Sequence, residues 1–572
     1  MRVHNAEIVN TLNRLADLLE IDGENPFKIR AYRNASRVIG GMSHEVSDWV
    51  DEGKDLTDIP GIGKSIAEKI TTIVKTGKLP YLKDVESHTP AVLSKLMRID
   101  GLGPKRVQLL HEKLHIRSIK DLKQAISSGK IYELAGFGEK VAKRIQEGIK
   151  HLTEYESRYA LNEAVPIVQT LLSYLKQCPR VTEVECEGSF RRRKETVGDL
   201  DILAIAVDGK SVIDYFIQYD EIKEVISQGK TRSTVRLRSG IQVDLRVVPA
   251  QAFGSAQLYF TGSKAHNIAI RKIALQHNLK INEYGVFDGN ERVAGRTEDE
   301  IYRKIGLSYI EPELREDRGE IEAARDNQLP KLITLQNIRG DLHSHTDATD
   351  GNNTLAEMAK AAASKGYEYL AITDHTQHLT MVHGLDKKRL LQQIKKIDRL
   401  NEQLNIVILK SAEIDILEDG SLDLPNELLK ELDLTVCSVH SKFHLSQAKQ
   451  TERILRAMDN PYFNILAHPT GRLINRREAY QVDMENVMRA AAMRGCVLEL
   501  NAQPERMDLS DVQCKMAKDM GVKLVISTDA HEVSQFDWMQ FGVYQGRRGW
   551  LEASDVINTL SLSQLQKVLK RR

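Results

Sequence analysis

The sequence predicts a multidomain protein of α+β and α/β classes, with helical domains first, a mixed sheet in the middle and a distorted β/α barrel at the end. Three observations lead to this fold class. A glycine-rich turn followed by a helix recurs before residue 150, strand-like runs near residues 200 and 244 carry aspartates, and strand-like runs after residue 340 end in histidine or aspartate. A chain of 572 residues is also too long for one hydrophobic core.

Composition narrows the class of protein. The chain is 41% hydrophobic and 28% charged, and no apolar run is long enough to cross a bilayer, so we expect a cytoplasmic protein. Its 5 cysteines form no Cys-x-x-Cys pair, which argues against disulfides and a thiolate zinc site. Residues 1–150 hold 25 Lys and Arg against 20 Asp and Glu (+5), whereas 340–572 hold 29 against 32 (−3). This distribution suggests polyanion binding at the front and metal binding at the back.

The helical front carries a repeated turn of the form apolar-x-Gly-apolar-Gly, followed by a helix with a lysine in its first turn. The residues expected to contact a phosphate backbone are Gly61, Gly63, Lys64, Gly101, Gly103 and Lys105, and a third, weaker copy surrounds Phe137. Glycines let a backbone approach closely, and free N–H groups at a helix N-terminus suit a phosphate oxygen. The turns resemble the helix-hairpin-helix motif, which grips DNA without reading its sequence. A single copy would equally fit a plain turn between packed helices; three copies favour DNA binding.

The central region carries paired carboxylates. Asp199 and Asp201 stand two residues apart at the start of a strand-like run and therefore project to one face. Such a pair needs a cation, and Mg²⁺ or Mn²⁺ with phosphate oxygens is the natural partner. Asp244 lies in another apolar run, and Gly188 and Ser189 precede three arginines. The set predicts a two-metal phosphoryl-transfer site, whereas Asp-x-Asp alone would fit two ordinary strand-end residues.

A segment further along carries two aromatic residues before a glycine turn and a helix: Tyr259, Phe260, Gly262, Asn267 and Arg271. Asn267 and Arg271 share one helix face because they are four residues apart. In order and approximate spacing, these residues and the Gly188–Asp201 and Asp244 motifs resemble the family X DNA polymerases, over residues 1 to about 316.

This resemblance implies a role for each residue. Asp199, Asp201 and Asp244 would hold two Mg²⁺ ions, and Asp244 would help to deprotonate the primer 3′-hydroxyl. The incoming dNTP would be bound by Gly188, Ser189, Arg191, Tyr259, Phe260, Gly262, Asn267 and Arg271. The chemistry would be in-line attack on the α-phosphorus.

The resemblance also implies a lyase residue. In this family the small N-terminal domain can remove a 5′-deoxyribose phosphate through a lysine Schiff base, and Lys69 aligns with that nucleophile, with Lys28 and Tyr32 as helpers. Ser65 and Phe27 depart from the family pattern. A lysine on a helix surface is also commonly just solvated, so both interpretations of Lys69 remain open.

The C-terminal region holds nine of the 17 histidines, most of them beside a carboxylate at the end of an apolar run. Functional residues of β/α barrels gather at the C-terminal ends of strands, and imidazoles with carboxylates suit Zn²⁺, Mn²⁺ or Fe²⁺. The pattern resembles the PHP (polymerase and histidinol phosphatase) domain, which binds up to three ions. The implied ligands are His343, His345, Asp350, His375, Glu413, His440, His468, Asp529 and His531, with Arg472 as a phosphate contact.

The resemblance further implies how the ions are shared. One metal would be held by His343, His345, Glu413 and Asp529. Glu413 would bridge to a second metal on His440 and His468, and Asp350, His375 and His531 would bind a third.

These features predict six segments. They are a lyase-like helical domain (1–90), a fingers-type helical domain (91–157), a nucleotidyltransferase palm with a mixed sheet (158–252), a thumb (253–316), a linker (317–339) and the PHP domain (340–572). The expected function is short-gap filling by a monomeric DNA repair polymerase, acting on gapped or nicked primer-template DNA with dNTPs. The PHP part is expected to be a metal-dependent 3′→5′ exonuclease that also cuts at abasic sites. Two alternatives stay open: a small-molecule phosphatase in the PHP part, or an N-terminal half that only tethers DNA.

Overall fold

The computed structural model describes residues 3, 5–40, 46–59, 61–90, 93, 96–97, 99, 102–134, 136–155 and 158–570. It divides into two compact units. The first comprises residues 1–159 and 210–245, and the second comprises 160–209 and 246–572. Among the described residues, no helix is both long enough and apolar enough to cross a membrane.

Up to Tyr155, the described residues of the first unit form helices that share a hydrophobic core. Its helices are Asn5–Ile21, Pro26–Gly40, Val46–Asp51, Lys64–Thr76, Pro80–His88, Pro104–Leu114, Ile119–Ser127 and Glu139–Tyr155. The helix Lys64–Thr76 shows how the sequence builds them. Ile66, Ile70 and Ile73 recur at helical spacing and are buried, and Gly77 ends the helix at φ +66°, where its N–H bonds the Ile73 carbonyl. After the helix Gly209–Phe216, the strand Ile222–Gln228 pairs antiparallel with Arg232–Leu237, and Gln242–Val248 follows.

The second unit begins with the helix Leu161–Lys176, which buries one apolar face. The strand Glu183–Cys186 then pairs antiparallel with Asp199–Ile205, and the short helix Gly188–Arg191 and the strand Thr196–Val197 lie between them in the chain. Next come the helices Phe253–Thr261, Lys264–Gln276 and Glu298–Lys304, and an antiparallel sheet of Leu279–Asn282, Gly285–Asp288 and Glu291–Ala294.

The segment expected to be a linker is ordered and packed. It forms the helix Glu320–Arg325, and Ile321, Ala324 and Leu332 join the hydrophobic core of the preceding region. The buried Glu320 carboxylate lies 2.7 Å from Nδ1 of His266 and accepts the N–H groups of Asp317 and Arg318. The segment predicted as a linker is therefore packed against the preceding region, and its charged residues find partners within the fold.

The rest of the second unit contains two parallel sheets with helices between successive strands. The strands are Gly340–Asp341, Tyr369–Ile372 and Val407–Lys410 in one sheet, and Glu413–Asp415, Val436–Ser438, Ile465–Leu466, Val497–Asn501 and Leu524–Ser527 in the other. The helices are Leu355–Ser364, Lys387–Asn401, Asn426–Leu429, Gln447–Met458, Met484–Arg494, Asp511–Asp519, Met539–Arg548 and Leu562–Leu569.

Isolated parallel bridges join the two sheets on both sides. His375 bridges to Glu413, and Ser344 bridges to Ala530. Strands run parallel around a closed core of buried aliphatic residues, as expected for a distorted β/α barrel. The predicted multidomain fold class is thus confirmed.

Candidate active sites

The turn that begins at Gly188 lies directly against Asp201. Gly188 has φ +65°, and a Cβ at this position would lie 2.5 Å from Oδ2 of Asp201, so only glycine fits. The N–H of Glu187 also donates to the Asp201 carbonyl, at 2.7 Å. Asp199 and Asp201 occupy alternate positions of one strand, with Leu200 buried between them. The structure therefore brings together the glycine-serine turn and the two carboxylates that the sequence predicted for one site.

Asp244 belongs to the other unit, so its place beside Asp199 and Asp201 stays a prediction. Within its own unit, Asp244 accepts hydrogen bonds on both carboxylate oxygens, from the Thr234 hydroxyl and from the Gln242 amide at 2.8 Å. These donors orient the carboxylate at a partly buried strand position.

Arg191, expected to bind the triphosphate, has its guanidinium engaged elsewhere. It donates two hydrogen bonds to the Glu298 carboxylate, at 3.0 and 2.8 Å, and one to the Thr261 hydroxyl at 2.6 Å. Burial would raise the pKa of Glu298, but Arg315 and Arg191 outweigh it and lower the pKa to about 2. Arg191 is thus part of a buried charge network in the described fold.

Arg192 is the neighbouring cation that the sequence reasoning did not single out. Its Nη1 lies 3.2 Å from the position of a Cβ on Gly262 and donates to the Thr261 carbonyl, and its Nε donates to Glu316 at 3.1 Å. Arg192 thus faces the predicted nucleotide turn more directly than Arg191 does. The only sequence signal was its membership of the run of three arginines.

The predicted nucleotide-contacting residues of the third motif form one surface. The Tyr259 ring stacks edge to face with Phe260 at 5.0 Å and lies under the Arg271 guanidinium at 5.2 Å, and the Asn267 amide donates to the Tyr259 carbonyl at 2.8 Å. Ser263 caps the helix that carries Asn267 and Arg271. Tyr259 remains 38% exposed, so its ring is accessible to a ligand.

The hairpin turns of the first unit present bare helix N-termini. Gly63 and Gly103 are the N-cap residues of Lys64–Thr76 and Pro104–Leu114, and neither helix has a side-chain cap. Unsatisfied N–H groups and an exposed lysine in the first turn, Lys64 or Lys105, suit a phosphodiester oxygen. Gly61 adopts φ +89° in the turn before the first of these helices, and Gly101 lies outside the described residues.

Lys69 lies in a small aromatic setting. Its Nζ is 5.9 Å from the Tyr32 ring centre and 5.7 Å from that of Tyr81, and it donates to the Ser65 hydroxyl at 2.8 Å. Lys28 donates to the Tyr81 hydroxyl at 2.9 Å. Lys69 and its two predicted helpers therefore gather around Tyr81, which the sequence did not indicate.

The barrel residues predicted as metal ligands converge, and Glu413 lies at their centre. One carboxylate oxygen, Oε1, is 3.1 Å from Nε2 of both His440 and His468. The other, Oε2, is 3.0 Å from His375 Nδ1 and 3.5 Å from Nε2 of both His343 and His345. Each oxygen can therefore serve a different ion, as required of a bridging carboxylate.

The remaining predicted ligands, Asp529, Asp350 and His531, lie on either side of this centre. Asp529 lies 3.2 Å from His345 and 3.6 Å from His343, and Asp350 lies 3.3 Å from both His375 and His531. Ligand atoms that could hold one ion form the groups His343, His345 and Asp529; His375, Glu413 and His440; and His345, Asp350, His375 and His531.

Buried nitrogen atoms show that these residues fit metal ions. Within the described part of the chain, Nε2 of His343, both ring nitrogens of His345 and Nδ1 of His375 are buried without a hydrogen bond. Leaving such groups unmatched is costly, and a divalent cation would satisfy them. Transition-metal ions accept this mixture of imidazole and carboxylate ligands.

A second ring of carboxylates, missed by the sequence reasoning, orients the imidazoles. Glu499 lies 2.7 Å from Nδ1 of His343 and accepts the His468 N–H at 2.7 Å, and Asp415 lies 3.1 Å from Nδ1 of His440. A carboxylate at Nδ1 leaves Nε2 free for a metal and raises its basicity. Glu499 stands in the fully buried strand Val497–Asn501, where a charged residue amid apolar neighbours was a usable signal.

These charges make metal binding compete with protons. Burial would lower the pKa of His440 and His531, but Glu413 and Asp415 raise that of His440 to about 10, and Asp350 and Asp529 raise that of His531 to about 9. Both imidazoles are thus in their cationic, doubly protonated form at neutral pH in the metal-free protein. We expect Mn²⁺ binding to release protons and its affinity to rise with pH toward these values.

Calorimetry in two buffers of different ionisation enthalpy checks this expectation. His440→Ala should reduce the number of protons released per Mn²⁺, whereas a control at the exposed His378 should not change it. Equal apparent enthalpies in both buffers would contradict the expectation.

Arg472, predicted as a phosphate contact, is instead bound to a carboxylate. Its two terminal nitrogens donate to Glu195 at 3.3 and 2.7 Å, and one also donates to the Met507 carbonyl. In the described fold its guanidinium is therefore part of a contact between the palm segment and the barrel, both within the second unit.

Comparisons with known proteins match this arrangement. Family models match at residues 3–79 (helix-hairpin-helix domain), 93–151 (SAM-like helix-hairpin-helix tandem), 256–316 (DNA polymerase beta thumb) and 341–503 (PHP domain). The chain is 27% identical over 344 residues to DNA polymerase lambda of Rattus norvegicus, and this match covers 55% of this chain and 56% of that protein. It is 32% identical over 217 residues to a probable phosphatase of Thermoanaerobacter sp. (strain X514), which covers 34% of this chain and 82% of that protein.

A further relative spans the whole chain. The DNA polymerase/3′-5′ exonuclease PolX of Bacillus subtilis (strain 168) is 37% identical over 574 residues, covering 100% of both proteins. Full-length similarity at this level, together with the thumb and PHP matches, confirms the resemblance on which the sequence analysis relied. The chain belongs to the family X DNA polymerases of the PolX type, with a C-terminal PHP domain.

Proposed function

We propose that this chain is a template-directed DNA polymerase that fills short gaps during DNA repair, and that its PHP domain is a metal-dependent 3′→5′ exonuclease. The observation that carries the proposal is the coexistence of two carboxylate-rich sites on one chain: Asp199 and Asp201 against the Gly188 turn, and the nine-residue cluster around Glu413. A polymerase and a 3′-end nuclease on one chain can clean and then extend a damaged terminus.

In the polymerase site, Asp199, Asp201 and Asp244 would hold Mg²⁺ or Mn²⁺, which stabilises the attacking and leaving oxygens of the transfer. The chain's own residues position the nucleotide. Ser189 and Arg192 face the triphosphate, Tyr259 and Phe260 lie against the sugar, and Asn267 and Arg271 face the base pair. We assign the triphosphate contact to Arg192 rather than Arg191. Glu298 holds both terminal nitrogens of Arg191, whereas Glu316 and the Thr261 carbonyl engage Nε and Nη1 of Arg192.

In the PHP site, the nine ligands would hold up to three Mn²⁺, Zn²⁺ or Fe²⁺ ions, which supply a nucleophilic hydroxide and polarise the phosphodiester. Glu413 would be shared by two of these ions, while Glu499 and Asp415 orient the imidazoles of His343 and His440. Cleavage at abasic sites would use the same ligands, because it also hydrolyses a phosphodiester.

A separation-of-function experiment tests the proposal. A 5′-labelled primer on a gapped template is incubated with Mn²⁺, with and without dNTPs, for wild type, Asp199→Ala and His343→Ala. We expect Asp199→Ala to lose extension but keep shortening, and His343→Ala to do the reverse. If His343→Ala shortens the primer as fast as wild type, the nuclease assignment fails. If wild type neither extends nor shortens the primer, the alternative of a DNA-tethering protein is favoured.

The similarity of the barrel to a probable phosphatase keeps one alternative for the PHP domain. A small-molecule phosphatase would hydrolyse phosphomonoesters faster than DNA ends, whereas the proposed nuclease would prefer DNA ends. Comparing p-nitrophenyl phosphate with a single-stranded oligonucleotide, in wild type and His343→Ala, decides between them.

The setting of Lys69 supports a second activity, removal of a 5′-deoxyribose phosphate. Lys69 is half-buried between two tyrosine rings, and the Lys28 ammonium, held by Glu24 and Tyr81, adds a neighbouring positive charge. A lysine amine in such a setting can attack the sugar aldehyde and form a Schiff base.

We therefore expect Lys69→Ala to abolish the borohydride-trapped covalent adduct with 5′-deoxyribose-phosphate DNA, while primer extension continues. Lys75, exposed on the same helix, supplies the matched control Lys75→Ala. An undiminished adduct in Lys69→Ala would show that another amine reacts.

A further inference from the structure

The contact between the polymerase segment after Arg191 and the barrel is extensive and polar. Arg193 lies over the Tyr544 ring at 4.5 Å, the Arg192 carbonyl accepts from Arg548 at 2.8 Å, and Arg548 also donates to Glu316 at 3.1 Å. Arg548 is 4% exposed. The segment is therefore seated on the barrel helix Met539–Arg548 by several independent contacts.

Glu195 is the residue of this segment that contacts the loop following the metal ligand His468. Its carboxylate receives two hydrogen bonds from Arg472 and one from Gln545 at 3.3 Å. Arg472 and Gln545 both also donate to the Met507 carbonyl. Glu195 thus links two barrel side chains that also donate to the same backbone carbonyl.

Arg472 closes the loop that begins at the metal ligand His468. The Gly471 N–H bonds the His468 carbonyl at 2.9 Å, and the Thr470 N–H donates to Asp508 at 3.0 Å. Arg472 adds the contact to Met507, so the loop is tied to residues 507 and 508 at two points.

His468 needs such support because its backbone is strained. Its φ is +27°, a value that side-chain-bearing residues rarely adopt. Strained residues keep their conformation only where their surroundings over-determine it. The Glu499 carboxylate holds the His468 N–H from one side, and the loop from Thr470 to Arg472 holds it from the other.

From this chain of contacts we propose that Glu195, although it belongs to the polymerase segment, is a positioning residue of the PHP metal site. Its carboxylate holds Arg472 and thereby the loop that carries His468. Loss of Glu195 would let the loop relax. It would thereby weaken metal binding at the position formed by His440, His468 and Glu413. The role in nuclease activity rests on the proposed function, but the role in metal binding does not.

The test measures Mn²⁺ affinity by calorimetry in the absence of DNA, on the full-length chain. We expect Glu195→Ala and Arg472→Ala each to weaken Mn²⁺ binding about 10-fold, as supporting residues of metal sites do. The double variant should be no weaker than either single variant, because both remove the same contact. Glu195→Gln, which keeps the shape of the side chain, should lie between wild type and Glu195→Ala and covers the case in which alanine prevents folding.

Glu505→Gln is the matched control, because Glu505 makes an exposed ion pair with Arg476, at 3.0 Å, just beyond Arg472. It should bind Mn²⁺ as wild type does. Wild-type affinity in Glu195→Ala, or additive losses in the double variant, would overturn the inference. If the variants lose Mn²⁺ affinity but wild type shortens no primer, the nuclease assignment fails and the inference stands.

Discussion

Glu413→Gln is expected to reduce 3′→5′ shortening of a primer by about 10³-fold or more and to leave primer extension unchanged. Both carboxylate oxygens of Glu413 are used, one by His440 and His468 and the other by His343, His345 and His375. Glutamine offers one weak oxygen ligand and one N–H₂ group that repels a cation. The shared ion positions therefore lose both charge and geometry.

The substitution should not unfold the protein. Burial would raise the pKa of the Glu413 carboxyl, but the charges of His375, His440 and His343 hold it well below its usual value. Without this carboxylate the pKa of His440 falls from about 10, so the cost of burying a charged imidazole falls as well. We expect near-native circular dichroism together with a metal content well below that of wild type.

Metal analysis and the labelled-primer assay measure the effect. Glu418→Gln is the control, because Glu418 is 58% exposed and pairs with Lys442 at the surface. It should retain both the metal and the nuclease activity. A Glu413→Gln protein that shortens primers at the wild-type rate would show that these ligands do not form the nuclease site.

The metal ligands could be predicted from sequence because the fold concentrates them. Parallel strands end at one edge, so a histidine or aspartate after each apolar run meets the others whatever the loops between them do. Glu413 and Asp529 were found in this way although 116 positions separate them. Asp199 and Asp201 could be placed on one face because alternate residues of a strand point the same way.

The partners of charged side chains could not be predicted in this way. Arg191 pairs with Glu298, 107 positions away, and Arg472 pairs with Glu195, 277 positions away. No periodicity links such residues, since the pairing depends on how whole elements pack. Both arginines were therefore expected to be free for phosphate, whereas in the fold they are held by carboxylates. The pairing of the buried Glu320 could not be predicted for the same reason, because its partner His266 lies in a distant helix.

Asp201→Asn is expected to lower primer extension by about 10³-fold or more, while 3′→5′ shortening continues. Asp201 lies where the Gly188 turn meets the strand that also carries Asp199, so its carboxylate is placed beside the predicted triphosphate site. Asparagine keeps the shape of the side chain but removes the charge that would hold the ion. The loss should therefore appear as catalytic rather than structural damage.

Extension of a gapped primer with dNTPs measures this loss. The control is Asp208→Asn, because Asp208 follows the same strand and pairs loosely with Arg180 at the surface, at 3.9 Å. Asp208→Asn should extend primers as wild type does, since exposed pairs contribute about 1 kcal/mol or less.

Gly188→Ala tests the same site through its geometry. Alanine is strained at φ +65°, and its Cβ would lie 2.5 Å from the Asp201 carboxylate, so the turn and the carboxylate must move apart. Extension should fall although all three carboxylates remain, and shortening should again persist. If Gly188→Ala extends at the wild-type rate while Asp201→Asn does not, the carboxylate acts without the turn, and the anion-binding role of Gly188 and Ser189 is wrong.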